Sequence, residues 1–189
     1  AVLGETVVDF PSPDSKEAYG GLAYAEQFIE KWQEDDLITP AIAPHAPYTN
    51  DSMHLQKASA LSEKYDVPMM MHVAEMADEI QKYKTEYNMT PVQYLDSLGV
   101  LNARFIAAHL IYVSMEDLDI LEKRKIGIAH NIGANAKAGK GVPPLKEMVN
   151  RKMKVGLGSD GPMSGNTLDI ITQMSLVAKI HKLFNRDRT

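Results

Sequence analysis

The chain alternates short apolar runs with longer amphipathic stretches. Five runs, ITPAIAPH (38–45), VPMMMH (67–72), ARFIAAH (103–109), KIGIAH (125–130) and KVGLGSD (154–160), have the length of strands buried on both faces. The chain also opens inside an apolar run, AVLGETVVDF. The helical stretches between the runs carry end signals. Asn50 and Asp51 can cap LQKASALSEKY; Thr90-Pro91 opens a helix that Gly99 closes; Ser114 with Asp117 forms a capping box for MEDLDILEKR. EAYGGLAYAEQFIEKWQED reads as a helix interrupted by Gly20-Gly21, a pair of low helix propensity, and residues 166 to 184 read as the last helix. Strand–helix alternation at this spacing predicts an α/β fold, a parallel sheet with right-handed crossovers. No repeat or low-complexity linker divides the chain, so residues 1–189 read as one domain or part of one.

The polar residues fall at matching places. His45, His72, His109 and His130 each stand at the C-terminal end of an apolar run, and Asp160 ends the fifth. Parallel strands present their C-termini on one side, where ligands bind in open sheets and where catalytic residues gather in barrels. Any one of these residues could be a hydrogen-bonded structural group; five together predict one site. Imidazole and carboxylate are ligands for zinc or ferrous iron. Glu75, just past His72, lies where the chain turns, so both can point inward, and a glutamate beside an activated water can carry protons. The three methionines before His72 read as core. His54 and His181 fall within predicted helices as surface or packing residues, and Tyr48 is either pocket wall or packing. GANAKAGKG (133–141) lacks the spacing and the Ser/Thr of a phosphate loop and reads as a flexible, substrate-facing loop.

Composition narrows the classes. Hydrophobic residues make up 44% of 189, enough for a substantial core. The net charge of −5 and the lack of a basic stripe argue against nucleic acid. There is no cysteine, hence no thiolate metal site, and a reducing, cytoplasmic setting is expected. No apolar run approaches the ~18 residues of a membrane span. The chain begins inside an apolar run without Met and reads as a fragment of a longer protein.

APHAPYT (43–49), HVAE (72–75), AAH (107–109), HNIGAN (130–135) and GSDGPMSGNTLD (158–169), in this order, resemble the metal-dependent amidohydrolase superfamily. The branch they are most similar to is the aminohydrolases of S-adenosylhomocysteine, 5′-methylthioadenosine and related rings. The resemblance implies part of a (β/α)8 barrel, about strands 4 to 8, with the first strands and a flanking β-sandwich domain missing. It implies one divalent metal, zinc or in second place ferrous iron, with His72 and Asp160 as ligands. Glu75 is then the proton shuttle to the ring nitrogen. His109 contacts the attacking water, Asp160 helps to activate it, His45 lines the substrate pocket, and Asn135 and Asn166 are polar loop positions near the substrate. His130 belongs to the HN motif without a ligand role. A small-molecule substrate and a homo-oligomer are expected.

The chain departs from the pattern. No His-x-His occurs, although the family's first strand supplies two metal ligands there; GSDG replaces GTDG; IGAN stands where Pro and Ser usually precede the Asn. The activity expected of the parent enzyme is hydrolytic deamination of an amino-substituted heteroaromatic ring, adenosine-like first. Other rings of the branch (pterin, guanine-type purine, triazine, with deamination or dechlorination) remain open. So does a reading of another class, an inactive part-barrel that self-associates through its open edges.

Overall fold

A computed structural model describes residues 1–186. Six parallel strands form one sheet: β1 (Val2–Val7), β2 (Thr39–Pro44), β3 (Met69–Val73), β4 (Phe105–His109), β5 (Gly127–His130) and β6 (Lys154–Leu157). Each strand pairs with the next in sequence, so the order never reverses as it does in doubly wound sheets. Right-handed crossovers that always step the same way put every helix on one face, which is the arc of a (β/α) barrel. All five predicted runs are strands, and VLGETVV supplies a complete sixth that pairs along its whole length with β2, from Val2–Thr39 to Val7–Pro44. The sheet edges are β1 and β6.

The crossovers use α1 (Gly21–Trp32), α2 (Ser52–Tyr65), α3 (Ala77–Tyr87), α4 (Pro91–Ser97), α5 (Met115–Arg124), α6 (Ile132–Lys137) and α7 (Leu145–Asn150), with α8 (Pro162–Gly165) and α9 (Ile170–Asn185) after β6. The predicted caps form. Asp51 accepts the His54 N–H, Thr90 makes a capping box with Gln93, and Ser114 makes one with Asp117. Gly99 follows α4 with φ +73°. Asn50 is buried instead of capping, its amide donating to the carbonyls of Val7 and Ala46. Two helix boundaries differ from expectation. α1 starts at Gly21 and not at Glu17, because Tyr19 sits in the left-handed region at φ +60°. A Cβ on Gly21 would lie 2.0 Å from the Thr6 carbonyl oxygen, so the glycine lets the helix meet β1. The last helix starts at Ile170, since Asn166 sits in the left-handed region at φ +64°.

The core fills the space between sheet and helices. Met69, Met71 and Val73 of β3 and Phe105 and Ala107 of β4 pack there with Leu55, Val92, Leu95 and Leu118. Alternation turns Met70 and His72 to the opposite, concave face, where the Met70 methyl lies close to Gly4. Among the described residues no helix is long and apolar enough to cross a membrane. Apolar side chains remain uncovered on β1 and α9, among them Val2, Ile171, Leu183 and Phe184.

Candidate active site

His72 reaches the concave face by alternation; the other groups need the chain to break from it. His109 shares the parity of Phe105 and Ala107, which would aim it at the helices, but its φ of +74° and that of Leu110, +49°, turn the strand end over. Ala74, at φ +52°, does the same for Glu75, and Asp160 itself sits at φ +59°. Strained non-glycine backbone at successive strand ends is the mark of geometry held for a purpose. The Ala74 turn is held by Glu79. Its carboxylate is 5% exposed and accepts the N–H of Ala74 at 3.1 Å and of Glu75 at 2.9 Å. Burial raises the Glu79 carboxyl above its ordinary range, against those N–H bonds.

The side chains converge. Ligand atoms of His72, Glu75 and His109 lie within 4.8 Å of one another. His72 Nδ1 is 3.0 Å from His109 Nε2, which is 3.3 Å from Glu75 Oε1 and 3.9 Å from Asp160 Oδ2. On its other side, His109 Nδ1 is 2.8 Å from Asn135 Oδ1, and both residues are fully buried. An amide oxygen can only accept, so the His109 hydrogen sits on Nδ1 and Nε2 carries the lone pair. His72 Nδ1–H then donates into that lone pair and leaves His72 Nε2 bare. Glu75 Oε1 and Asp160 Oδ2 face the same nitrogen. The Lys140 ammonium supplies Glu75 Oε1 with a hydrogen, and the nitrogen and oxygen donor atoms of His72, Glu75 and His109 lie close enough to share one cation. The donor set therefore fits a metal of the zinc or ferrous-iron kind, with nitrogen and oxygen ligands.

His45 Nδ1 pairs with Thr49 Oγ1 at 3.0 Å, and its ring stands 5.2 Å, centroid to centroid, from that of His72. Burial lowers the affinity of His45 and His72 for a proton; for His72 the neighbouring His109 adds to it. Tyr48 meets His45 edge-on at 6.0 Å and packs against the core. Asn166 is exposed and its Oδ1 accepts from Lys137 at 2.7 Å, which places it on the loop after Asp160 and not against the imidazoles.

His130 pairs with His181 of α9, Nε2 to Nε2 at 3.0 Å, so His181 is a half-buried packing residue. The stretch 133–141 is not a free loop: residues up to Lys137 belong to α6, which Gln173 ties to α9 through the Gly133 N–H at 2.9 Å. Sequence reasoning missed two groups at the site, Glu79 and Lys140, whose ammonium bonds Glu75 Oε1. Glu79 could have been suspected from its place in the first turn of the helix after HVAE. Nothing in the GKG triplet signals that Lys140 reaches back across 65 residues.

An arc of parallel strands with imidazoles and carboxylates gathered at the C-terminal rim defines a barrel protein whose chemistry sits at that rim. The chain belongs to the amidohydrolase family, whose model matches residues 1–189. It is 39% identical over its whole length to the 5-methylthioadenosine/S-adenosylhomocysteine deaminase of Thermodesulfovibrio yellowstonii, and it covers 43% of that protein. It is 39% identical over 157 residues to the 5′-deoxyadenosine deaminase of Methanothrix thermoacetophila, covering 38% of it. Its fold matches the crystal structure of an adenosine deaminase from Xanthomonas campestris with bound zinc, at a TM-score of 0.94 and 28% identity, over 99% of this chain and 43% of that one. The chain thus spans less than half the length of these relatives.

Proposed function

We propose that the full-length protein is a metal-dependent aminohydrolase that deaminates an adenosine-like ring, with 5′-methylthioadenosine, S-adenosylhomocysteine and 5′-deoxyadenosine as first substrates. The observation that carries this reading is the gathering of His72, Glu75 and Asp160 around His109 Nε2. The names of the relatives support the substrate class.

His72 and Asp160 would hold the metal, zinc first, with further ligands from strands outside these 189 residues. When bound, that ion supplies Lewis acidity that brings the pKa of a water toward neutrality. Glu75 Oε1 takes a proton from that water and delivers it to the ring nitrogen beside the amino-bearing carbon. His109, its ring held by Asn135, contacts the water and orients it. Asp160 Oδ2 bounds the other side. Water adds to the carbon, the proton of the new hydroxyl passes to the amino nitrogen, the C–N bond breaks, and ammonia leaves as the C=O bond of the keto ring forms. His45 lines the pocket wall, and Asn135 acts through His109; Asn166 borders the pocket from the loop after Asp160. The uncovered apolar side chains of β1 and α9 fit a barrel closed by those further strands and an assembly of several copies. A cysteine-free chain suits the cytoplasm.

The test is ammonia release by the full-length zinc-loaded protein from a panel of 5′-methylthioadenosine, S-adenosylhomocysteine, 5′-deoxyadenosine, guanine and an aminotriazine. Preference for the adenosine-like members supports the reading. Turnover of guanine or triazine alone contradicts the substrate class.

A further inference from the structure

We propose that Lys140 is a positioning residue for Glu75, aimed by the glycine-framed segment that follows α6. The inference rests on the deaminase reading above and deepens it. The Lys140 ammonium donates to Glu75 Oε1, the same oxygen that lies 3.3 Å from His109 Nε2. Ammonium and imidazole therefore bracket one carboxylate oxygen. The side chains are 21% and 10% exposed, so the pair is shielded from the solvent that makes surface ion pairs weak.

The segment is built to hold this ammonium in place. The Lys140 N–H donates to the Asn135 carbonyl at 2.9 Å, and the Lys140 carbonyl accepts the Tyr112 hydroxyl at 2.7 Å. Gly139 and Gly141, on either side, have φ of +63° and +125°, and a Cβ at Gly141 would lie 2.9 Å from Ile111 Cγ2. Only glycine lets the chain close on Ile111 in this way. The N–H groups of Ile111 and Tyr112 in turn both donate to the Ala74 carbonyl at 3.0 Å. Ala74 precedes Glu75, so both ends of the ion pair are fastened to one turn. A glutamate has three rotatable bonds. The ammonium removes that freedom before substrate arrives and presents the carboxylate to the reacting water in one orientation.

The test uses the full-length zinc-loaded protein with 5′-methylthioadenosine as probe, and compares Lys140→Met, Lys140→Arg, Gly141→Ala and the Lys140→Met/Gly141→Ala double variant with Glu75→Gln. Loss of the positioning cation is expected to lower kcat about tenfold to a hundredfold while KM stays within about twofold. Zinc per chain stays at the wild-type level. Added ethylammonium restores part of the Lys140→Met turnover, and Lys140→Arg keeps more than Lys140→Met. Gly141→Ala displaces the segment and reproduces the loss, and the double variant is no worse than either single. A Lys140→Met protein with wild-type kcat overturns the proposal, as does one that loses zinc or ignores the amine. If Glu75→Gln keeps wild-type turnover, or the unmodified protein releases no ammonia, the underlying reading falls. If Glu75→Gln is inactive while Lys140→Met is unaffected, only the role of Lys140 falls.

Discussion

Replacing Asn135 by leucine isolates one link in the site, the fixing of the His109 ring. The two side chains meet at 2.8 Å with neither exposed, so no water can take over the amide's place. Leucine keeps the branching of the side chain at a somewhat larger volume and removes the acceptor. The Asn135 nitrogen has no partner of its own, so the substitution deletes a single hydrogen bond. An imidazole N–H left buried and unpaired costs about 1–3 kcal/mol. That energy is relieved if the hydrogen moves to Nε2 or the ring turns, and either event removes the lone pair from the position facing Glu75 and Asp160. At about 1.4 kcal/mol per decade, kcat should fall about tenfold to a hundredfold. Asn135→Asp retains an acceptor at the same place and should keep more of the turnover. The assay is steady-state ammonia release by the full-length protein, paired with 15N NMR of the His109 ring. Turnover of Asn135→Leu equal to wild type would refute the reasoning. So would a wild-type His109 hydrogen found on Nε2.

Two further outcomes follow from the packing around the site. Gly21→Ala puts a methyl group where the Thr6 carbonyl already is, so α1 must shift from β1; we expect a loss of about 1–3 kcal/mol, read as a lower midpoint of unfolding in urea. His130, 1% exposed and facing His181, has its pKa pushed down to about 4 by burial, with His181 and then His109 adding to it. The unfolded chain takes up this proton near its ordinary 6.5 and the folded chain does not, so stability is present above pH 6.5 and is lost as the pH falls toward 4. By pH 5 the loss from this residue is about 2 kcal/mol, and hydrogen exchange in β5 and β6 should accelerate accordingly; exchange protection that does not change between pH 7 and 5 would contradict it.

Much of this architecture was legible in the sequence because its strands are short, nearly continuous apolar runs. Runs such as VPMMMH and ARFIAAH have no competing periodicity, and each stops at a polar residue that parallel topology carries to one rim. The caps at Asp51, Thr90 and Ser114 are local hydrogen bonds, and they too could be read from neighbouring residues. What escaped depends on contacts far apart in the chain. The left-handed Tyr19 before α1 and the glycine that Thr6 requires at its first residue belong to a helix–strand contact, which local propensity does not contain. The aim of His109 depends on a left-handed backbone at the strand end, which runs against strict alternation. Lys140 meets Glu75 and His181 meets His130 only because of the fold.

The central claim is that the rim residues form one metal-dependent deaminase site with Glu75 carrying the proton. It is tested most directly by ammonia release from 5′-methylthioadenosine by the full-length protein, stripped by chelator and then restored with zinc, beside a Glu75→Gln variant that has been loaded with zinc. The account predicts that activity vanishes on stripping and returns with about one zinc per chain, and that Glu75→Gln binds zinc normally but turns over slower by about two or more orders of magnitude. Wild-type turnover by the stripped protein, or by Glu75→Gln, would contradict it.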